Sequence, residues 1–324
     1  MIHLDDQTIE QLLDLAGVTQ VVGKAFAAWG RGEADTTQRV RASTSGAMAS
    51  AMAAVVPPYS GGKIYATKNG KFTFVNVLFD TDGQLLCTLD GDALTAFRTP
   101  AACALAIRCL SAPPSNGSGI TTAALVGAGR QGWYHVTMLA AELPGLTDLR
   151  IADVNPDAVS AMVERARQIG IAARPATDPA SAVDGADVIV TVTQSTQPLF
   201  PASAVGDGAL ICAVGSTKYD RCEIGVDVVA RCASVVCDDV VGSRIECGDL
   251  IQAHHRGLFA WDRAAELHAV LAGTVVVDRA GRSPVLFETQ GVALQDVAAA
   301  GLAWERYAAL ELTFQDQTIR ETTT

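Results

Sequence analysis

The sequence predicts an α/β protein that combines a doubly wound parallel sheet with a smaller α+β domain. Its 324 residues are about twice the length of an ordinary domain, and 49% of them are hydrophobic, enough for a sizeable core. Residues 119–290 alternate strand-like and helix-like segments, which is typical of βαβ units and a parallel sheet. Residues 1–118 instead carry consecutive strand-like segments, which indicate a small, mainly antiparallel sheet.

The smaller domain begins with apolar positions at helical spacing over residues 6–29, which predict two short helices. Three strand-like segments follow, KIYAT, KFTFVNVLFD and QLLCTLD. Turn signals at Asn69-Gly70 and Asp82-Gly83 separate them, as expected for an antiparallel meander.

The boundary between the two domains is predicted from composition. A helix is expected over 93–110, and the segment SAPPSNGSG after it reads as a linker. An Ala-rich helix expected over 291–310 returns to the first domain. We therefore predict one domain of 1–118 with 291–324, and a second domain of 119–290.

The second domain opens with the strand TTAALVG, and further apolar strands follow after helices expected over 131–142 and 156–169. These strands lack period-two alternation, as expected when helices cover both faces of a parallel sheet. The later strands are LRIAD, DVIVTVT, GALICAVG and SVVCDD.

A complete GxGxxG motif, Gly127 to Gly132, follows the first of these strands and starts a helix. One glycine allows the tight turn, one lets backbone approach a pyrophosphate, and one permits close helix packing. The helix N-terminus supplies N–H groups and positive potential for phosphates. The motif predicts a Rossmann-type dinucleotide-binding domain, whose cofactor contacts include Gly127, Ala128, Gly129, Arg130 and Gln131.

Asp153 completes this fingerprint, because it ends the next strand, 21 residues beyond Gly132. A carboxylate there accepts hydrogen bonds from the adenosine ribose hydroxyls and repels a 2′-phosphate. The neighbouring Val154 offers no positive charge to attract that phosphate. The cofactor is therefore NAD(H) or NADP(H), and the sequence favours NAD(H), although Arg174 could still approach.

Several classes of partner are excluded by composition. The net charge of −11 and the absence of a basic run argue against nucleic acid. The apolar stretch 47–56 is shorter than the ~20 residues needed to cross a bilayer, so we expect no membrane association. No secretory signal is apparent, so we expect a cytoplasmic protein whose eight cysteines are buried thiols. No spacing of Cys or His fits a metal site.

At this point the sequence resembles the ornithine cyclodeaminase/μ-crystallin family over nearly its whole length. The resemblance is carried by Gly62-Lys63 and by five further segments, LTAFRTPAACALA, VGAGRQGWYH, AVGS, Asp220 with Glu223, and GVALQD. It implies a homodimer with a dinucleotide-binding domain and a domain for substrate and dimerisation built from both chain ends.

The reaction varies within that family, and one departure bears on it. Cyclodeaminases carry an acid where this chain has Thr217, and without that carboxylate an attacking water loses its base. The resemblance therefore implies NAD(P)H-dependent reduction of small cyclic ketimines, 1-pyrroline-2-carboxylate to L-proline and 1-piperideine-2-carboxylate to L-pipecolate. The alternatives are an amino-acid dehydrogenase, an ornithine cyclodeaminase-type enzyme, and a non-catalytic μ-crystallin-like binding protein.

Three cations are the candidate catalytic residues for a cyclic imino acid. Arg98 and Arg41 are the candidates for binding the substrate carboxylate, since a guanidinium binds such a group bidentately, with Arg39 as the fallback for Arg41. Lys63 would protonate or hydrogen-bond the imine nitrogen if neighbouring arginines lower its pKa.

Further residues are expected at the cofactor. The resemblance places Thr99 there, and Thr193, Ser195 and Gly215 follow strands whose carboxyl ends bind ligands. His135 is expected to be a packed helix residue. Asp220 and Glu223 either form a structural ion pair with Arg221 or Lys218 or take part in the chemistry, and both roles remain open, as they do for Asp296.

Overall fold

The computed structural model describes residues 1–68, 71–111, 119–277 and 283–322, with side chains described up to residue 313. The chain forms two compact units, Met1–Arg98 with Val292–Thr324, and Thr99–Gly291. The division therefore falls between Arg98 and Thr99, whereas the sequence places it at 118/119. Residues 112–118 of the expected linker and the turn residues Asn69-Gly70 lie outside the described residues.

Unit 1 contains a mostly antiparallel sheet, in which the expected meander is extended on both sides. The strand order is β1-β7-β6-β5-β4-β2, and β3 also pairs with β4. The strands are β1 (Ile2–Leu4), β2 (Asp35–Thr36), β3 (Val40–Thr44), β4 (Ala47–Val56), β5 (Tyr59–Lys68), β6 (Lys71–Asp80) and β7 (Leu85–Asp90).

Three helices complete the N-terminal part, α1 (Asp6–Leu12), α2 (Leu15–Gly30) and α3 (Asp92–Leu110). The first two are capped by carboxylates, because Asp5 accepts from the Thr8 N–H at 2.8 Å and Asp14 from the Gly17 N–H at 2.7 Å. By length and composition, α3 is apolar enough to cross a membrane, but 78% of its apolar stretch is buried inside the protein.

Unit 2 contains a parallel sheet of order β10-β9-β8-β11-β12-β15-β13-β14, which confirms the predicted Rossmann-type α/β class. The strands are β8 (Thr122–Val126), β9 (Asp148–Ala152), β10 (Ala173–Pro175), β11 (Val188–Thr191), β12 (Leu210–Ala213), β13 (Ser234–Cys237), β14 (Ala264–Glu266) and β15 (Val285–Glu288).

The helices of unit 2 connect these strands, and most strand residues between them are buried, as the lack of alternation predicts. They are α4 (Arg130–Glu142), α5 (Pro156–Gln168), α6 (Pro179–Val183), α7 (Val226–Arg231), α8 (Val240–Glu246), α9 (Gly248–His255) and α10 (Leu267–Leu271).

The last helix, α11 (Ala293–Thr322), packs in unit 1 against α2, β4 and β5. Gly301 allows this close approach, since a Cβ atom there would lie 2.6 Å from the ring of Tyr59. Tyr59 also donates to Glu305 Oε1 at 3.0 Å. These contacts hold the third and fourth turns of α11 against the sheet.

Candidate active site

A row of buried residues crosses the sheet of unit 1 and carries Lys63. In the strand register, Lys63 of β5 lies opposite Met52 of β4 and Asn76 of β6, so the three side chains share one face. Lys63 is 1% exposed, Asn76 2% and Met52 6%. A lysine buried this deeply requires a partner, because desolvation of an ammonium group is costly.

The partners of Lys63 come from two helices. Its Nζ donates to Asp296 Oδ1 at 3.2 Å and to Thr95 Oγ1 at 2.5 Å. The Thr95 hydroxyl in turn donates to the carbonyl of Gly91. The ammonium group also lies over the ring of Phe74, 4.5 Å from its centroid. The lysine is thus held in one position.

Burial lowers the pKa of Lys63 to about 8, from an ordinary value of 10.5. Desolvation is the largest cause, Asp296 opposes it, and the positive charges of Arg98 and Arg39 add to it. The charged and neutral forms therefore coexist near neutral pH. A group with such a pKa can donate a proton and recover it from solvent.

Arg98 lies beside the same carboxylate. Its Nε is 3.3 Å from Asp296 Oδ1, and its guanidinium donates to Gln295 Oε1 at 3.0 Å. Arg98 is only 7% exposed, so its charge acts in a largely water-excluded environment. Lys63, Arg98 and Asp296 form one buried cluster, which we call the charge cluster.

The strand register shows which of Arg39 and Arg41 lies nearer to Lys63. Arg41 of β3 is exposed and lies opposite Ser50, which pairs with Tyr65, two residues along β5 from Lys63. Arg39 comes just before β3 and donates to Met52 Sδ at 3.8 Å, and Met52 pairs with Lys63. The structure therefore places Arg39, the fallback in the sequence analysis, closer to Lys63 than Arg41.

In unit 2 the glycine motif has the geometry that a dinucleotide loop needs. Gly127 has a φ of 116°, and a Cβ atom there would lie 2.6 Å from the carbonyl oxygen of Val192. A Cβ atom on Gly132 would lie 2.1 Å from the carbonyl oxygen of Gly127, so Gly132 lets α4 pack on the turn. Gly129 caps α4 and faces open space, which leaves room for a phosphate.

Asp153 lies beside this loop. Its Oδ2 accepts from the Ala128 N–H at 2.7 Å, and its Oδ1 accepts from the Asn155 N–H at 2.9 Å. Val154 is fully exposed. Arg174 pairs with Asp148 at 2.7 Å, at the opposite end of β9. Arg174, the cation that could have bound a 2′-phosphate, is therefore paired with Asp148 instead.

Glu223 connects the ends of two strands, a role that the sequence analysis left open. This buried carboxylate accepts from Thr191 Oγ1 at 2.9 Å, from the Thr193 N–H at 2.5 Å and from the Gly215 N–H at 2.7 Å. Its partners are thus backbone and hydroxyl groups, whereas the sequence suggested Lys218 or Arg221. Desolvation raises the pKa of Glu223, and these hydrogen bonds oppose the rise.

The remaining predicted residues also lie in unit 2. Thr193 Oγ1 accepts from the Ser195 N–H at 3.1 Å, and Thr99 is buried in α3. His135 is fully buried, its Nδ1 lies 2.8 Å from the Gln131 carbonyl oxygen, and burial lowers its pKa to about 4. It is therefore a neutral packed residue. In the described part of the chain, no group of three or more His, Cys, Asp or Glu residues is placed to hold a metal ion.

These two constellations, a dinucleotide loop and a buried lysine with arginine and aspartate, agree with the comparison to known proteins. The profile of the ornithine cyclodeaminase/mu-crystallin family matches residues 2–311. The chain belongs to this family.

Among curated members of the ornithine cyclodeaminase/mu-crystallin family, the chain is similar to the Delta(1)-pyrroline-2-carboxylate/Delta(1)-piperideine-2-carboxylate reductase of Azospirillum brasilense. The two are 33% identical over 254 residues, which is 78% of this chain and 75% of that protein. The reductase name agrees with the predicted class, an NAD(P)-dependent oxidoreductase acting on C=N or CH–NH bonds.

Two solved structures give the same result for the fold. A probable ornithine cyclodeaminase from Bordetella pertussis Tohama I is 35% identical, with a TM-score of 0.89 over 96% of this chain and 98% of that one. The iminosuccinate reductase of Paracoccus denitrificans, solved in complex with NAD+, is 25% identical, with a TM-score of 0.88 over 96% and 97%. The family predicted from the sequence is confirmed.

Proposed function

We propose that this protein reduces small cyclic ketimines with NADH or NADPH, converting 1-pyrroline-2-carboxylate to L-proline and 1-piperideine-2-carboxylate to L-pipecolate. The observation that carries the proposal is the charge cluster, in which a buried lysine with a pKa of about 8 lies beside an arginine and a carboxylate. A cyclic α-imino acid needs a proton at nitrogen and a positive group at its carboxylate, and this cluster supplies both.

The cofactor fits unit 2, because the turn at Gly127 and the open space at Gly129 leave room for the pyrophosphate. Asp153 would hold the adenosine ribose, and we propose a preference for NAD(H). Thr99, Thr193, Ser195 and Gly215 are the further proposed contacts. When bound, the cofactor supplies a hydride to the carbon of the C=N bond.

The residues of unit 1 act on the other atoms of the substrate. Arg98 provides a fixed positive charge for the carboxylate, and Arg39 or Arg41 a second one. The electron pair of the C=N double bond moves to nitrogen as the new C–H bond forms. Lys63 Nζ–H then donates its proton to that nitrogen. The neutral amino group of Lys63 recovers a proton from water afterwards.

The position of Thr217 favours this reaction over cyclodeamination. The Thr217 N–H donates to the Gly215 carbonyl at 2.9 Å, and its side chain carries no base for a water molecule. Reduction of a preformed cyclic imine requires no attack by water, so it does not need that base.

The outer face of the sheet supports a homodimer. Val40, Ile64 and Val75 lie in one row across the strands and are 66%, 59% and 42% exposed. They adjoin an apolar groove of about 700 Å³ that Val40 and Ile64 also line. A monomer rarely exposes such an apolar face to water, so we propose a homodimer that buries it. We also propose that the protein is cytoplasmic.

The proposal is tested by mixing the purified protein with NADH or NADPH and each cyclic imine. Reduction is measured as the decrease in the absorbance of the reduced nicotinamide. We expect turnover with both imines, and none with L-alanine or L-ornithine in the presence of NAD+ or NADP+. Turnover of L-alanine or L-ornithine, with no turnover of either imine, would contradict the proposal.

A variant pair assigns the activity to the charge cluster. Lys63→Met is expected to abolish reduction and to retain NADH binding, measured by fluorescence titration. Lys24→Met removes an exposed lysine of α2 and is the control, for which we expect the reduction rate of the unaltered protein. Ordinary rates in Lys63→Met would remove this lysine from the mechanism.

A further inference from the structure

Two buried polar atoms on the first turn of α11 have no hydrogen-bond partner among the described residues. They are Asp296 Oδ2 and Gln295 Nε2, on side chains that are 1% and 0% exposed. A buried polar atom without a partner destabilises the folded protein, and most such atoms in proteins are paired. Asp296 Oδ2 is an acceptor that belongs to the charge cluster, and Gln295 Nε2 is a donor on a residue that contacts Arg98 of that cluster.

The orientation of both side chains is fixed by that cluster. Asp296 Oδ1 is engaged by Lys63 at 3.2 Å and by Arg98 at 3.3 Å, which leaves Oδ2 as the oxygen without a partner. Gln295 Oε1 accepts from Arg98 at 3.0 Å, and a flipped amide would turn its NH2 group towards the guanidinium. Gln295 therefore presents its NH2 group as a free donor.

We propose that Asp296 and Gln295 recognise the substrate directly, with Asp296 Oδ2 accepting from the ring N–H and Gln295 Nε2 donating to the carboxylate. An α-imino acid carries these two groups on neighbouring atoms, and the two orphan atoms lie on consecutive residues. The inference rests on the proposed function, since it assigns the two sides of the same substrate.

The negative charge of Asp296 also selects the protonation state of the substrate. A carboxylate favours a ring nitrogen that carries a proton, and only the protonated imine is a strong hydride acceptor. After reduction the nitrogen has a lone pair, which takes the proton of Lys63 as described above. Asp296 Oδ2 can then accept from the ammonium product, so it contacts the nitrogen before and after the reaction.

Two planar ligands of equal shape test this inference without turnover. Pyrrole-2-carboxylate has a ring N–H, whereas furan-2-carboxylate has an oxygen in its place, and both carry the same carboxylate. With NAD+ present, we expect the unaltered protein to bind the pyrrole at least tenfold more tightly than the furan, measured by calorimetry, because a hydrogen bond to a charged group is lost with the furan.

The two residues give different signatures in this test. Asp296→Asn is expected to reduce the pyrrole/furan preference about tenfold, whereas Gln295→Met weakens both ligands alike, by about tenfold, and keeps the preference. Asp82→Asn removes an exposed carboxylate of unit 1 and is the matched control with no change. Circular dichroism and NADH binding verify that each variant is folded.

Several results would overturn the inference. Equal binding of pyrrole and furan by the unaltered protein would exclude the N–H contact, as would an unchanged preference in Asp296→Asn. A preference that shifts in Gln295→Met would exclude the division of roles. If this pattern of affinities appears but the imines are not reduced, the proposed reaction is wrong, whereas the recognition by Asp296 and Gln295 is supported. If the imines are reduced but the pattern is absent, the proposed reaction is supported and the recognition by these two residues is wrong.

Discussion

The pKa of Lys63 makes a prediction about the pH dependence of the reaction. The shift from 10.5 to about 8 corresponds to about 3 kcal/mol in favour of the neutral amine. If the ammonium form donates the proton, the contribution of Lys63 to kcat/KM for imine reduction is level below that pKa and falls tenfold per pH unit above it.

Two substitutions should move this inflection in opposite directions. Asp296→Asn removes the negative charge that favours the ammonium form at 3.2 Å, so we expect the inflection to fall by about one to three pH units. Arg39→Gln removes a like charge and should raise it, by less, because Arg39 is the smallest of the causes that act on Lys63.

The assay is the decrease in NADH absorbance at a series of pH values with 1-piperideine-2-carboxylate. The protonation of the imine itself contributes equally to every variant, so the differences between variants isolate Lys63. An inflection that stays in place in both variants, or that moves the same way in both, would refute the assignment.

Stability provides an independent readout with a defined sign. The folded protein releases the Lys63 proton at about pH 8, whereas the unfolded chain holds it to 10.5. The unfolded state therefore binds more protons in this window, and the free energy of unfolding from Lys63 rises with pH by about 1.4 kcal/mol per unit. Urea unfolding of the unaltered protein and of Lys63→Met should differ in this slope; equal slopes would contradict the shifted pKa.

Three further predictions concern the cofactor and the assembly. Asp153→Ser should raise the kcat/KM ratio of NADPH to NADH, and an unchanged ratio would remove Asp153 from the ribose. Glu223→Ala deletes three hydrogen bonds that hold Thr191, Thr193 and Gly215, so we expect KM for NADH to rise at least tenfold, while Glu164→Gln, an exposed control, leaves it unchanged. Ile64→Lys should convert a dimer to a monomer in sedimentation experiments, with Ile169→Lys as an exposed control on unit 2; a monomeric unaltered protein would contradict the proposed interface.

The parallel sheet could be predicted because its signals are local. The glycine motif, the acid after the second strand and the short apolar runs each lie within a few residues. By contrast, β15 lies between β12 and β13 although it follows both along the chain, so its place depends on tertiary packing. The strand β4 was also missed, since alanine and methionine have little intrinsic preference for strands.

The charge cluster shows the same division. Lys63 and Arg98 were found from their local motifs, whereas Asp296 stayed open because it lies 233 residues from Lys63 and meets it only when α11 covers the sheet. The choice between Arg39 and Arg41 depends on the register of β3 against β4, which sequence alternation leaves undetermined. The role of Glu223 also stayed open, because its partners Thr191 and Gly215 lie at the ends of two strands that meet only in the folded sheet.

The separation of Lys63 from Asp296 has a consequence during synthesis. At about 5–20 residues per second, the ribosome takes roughly ten to fifty seconds to add the 233 residues between them. Throughout this interval the nascent sheet lacks the carboxylate that its buried lysine requires. The N-terminal unit therefore matures only after translation has passed residue 296, and chains released earlier lack the complete proton-donating centre.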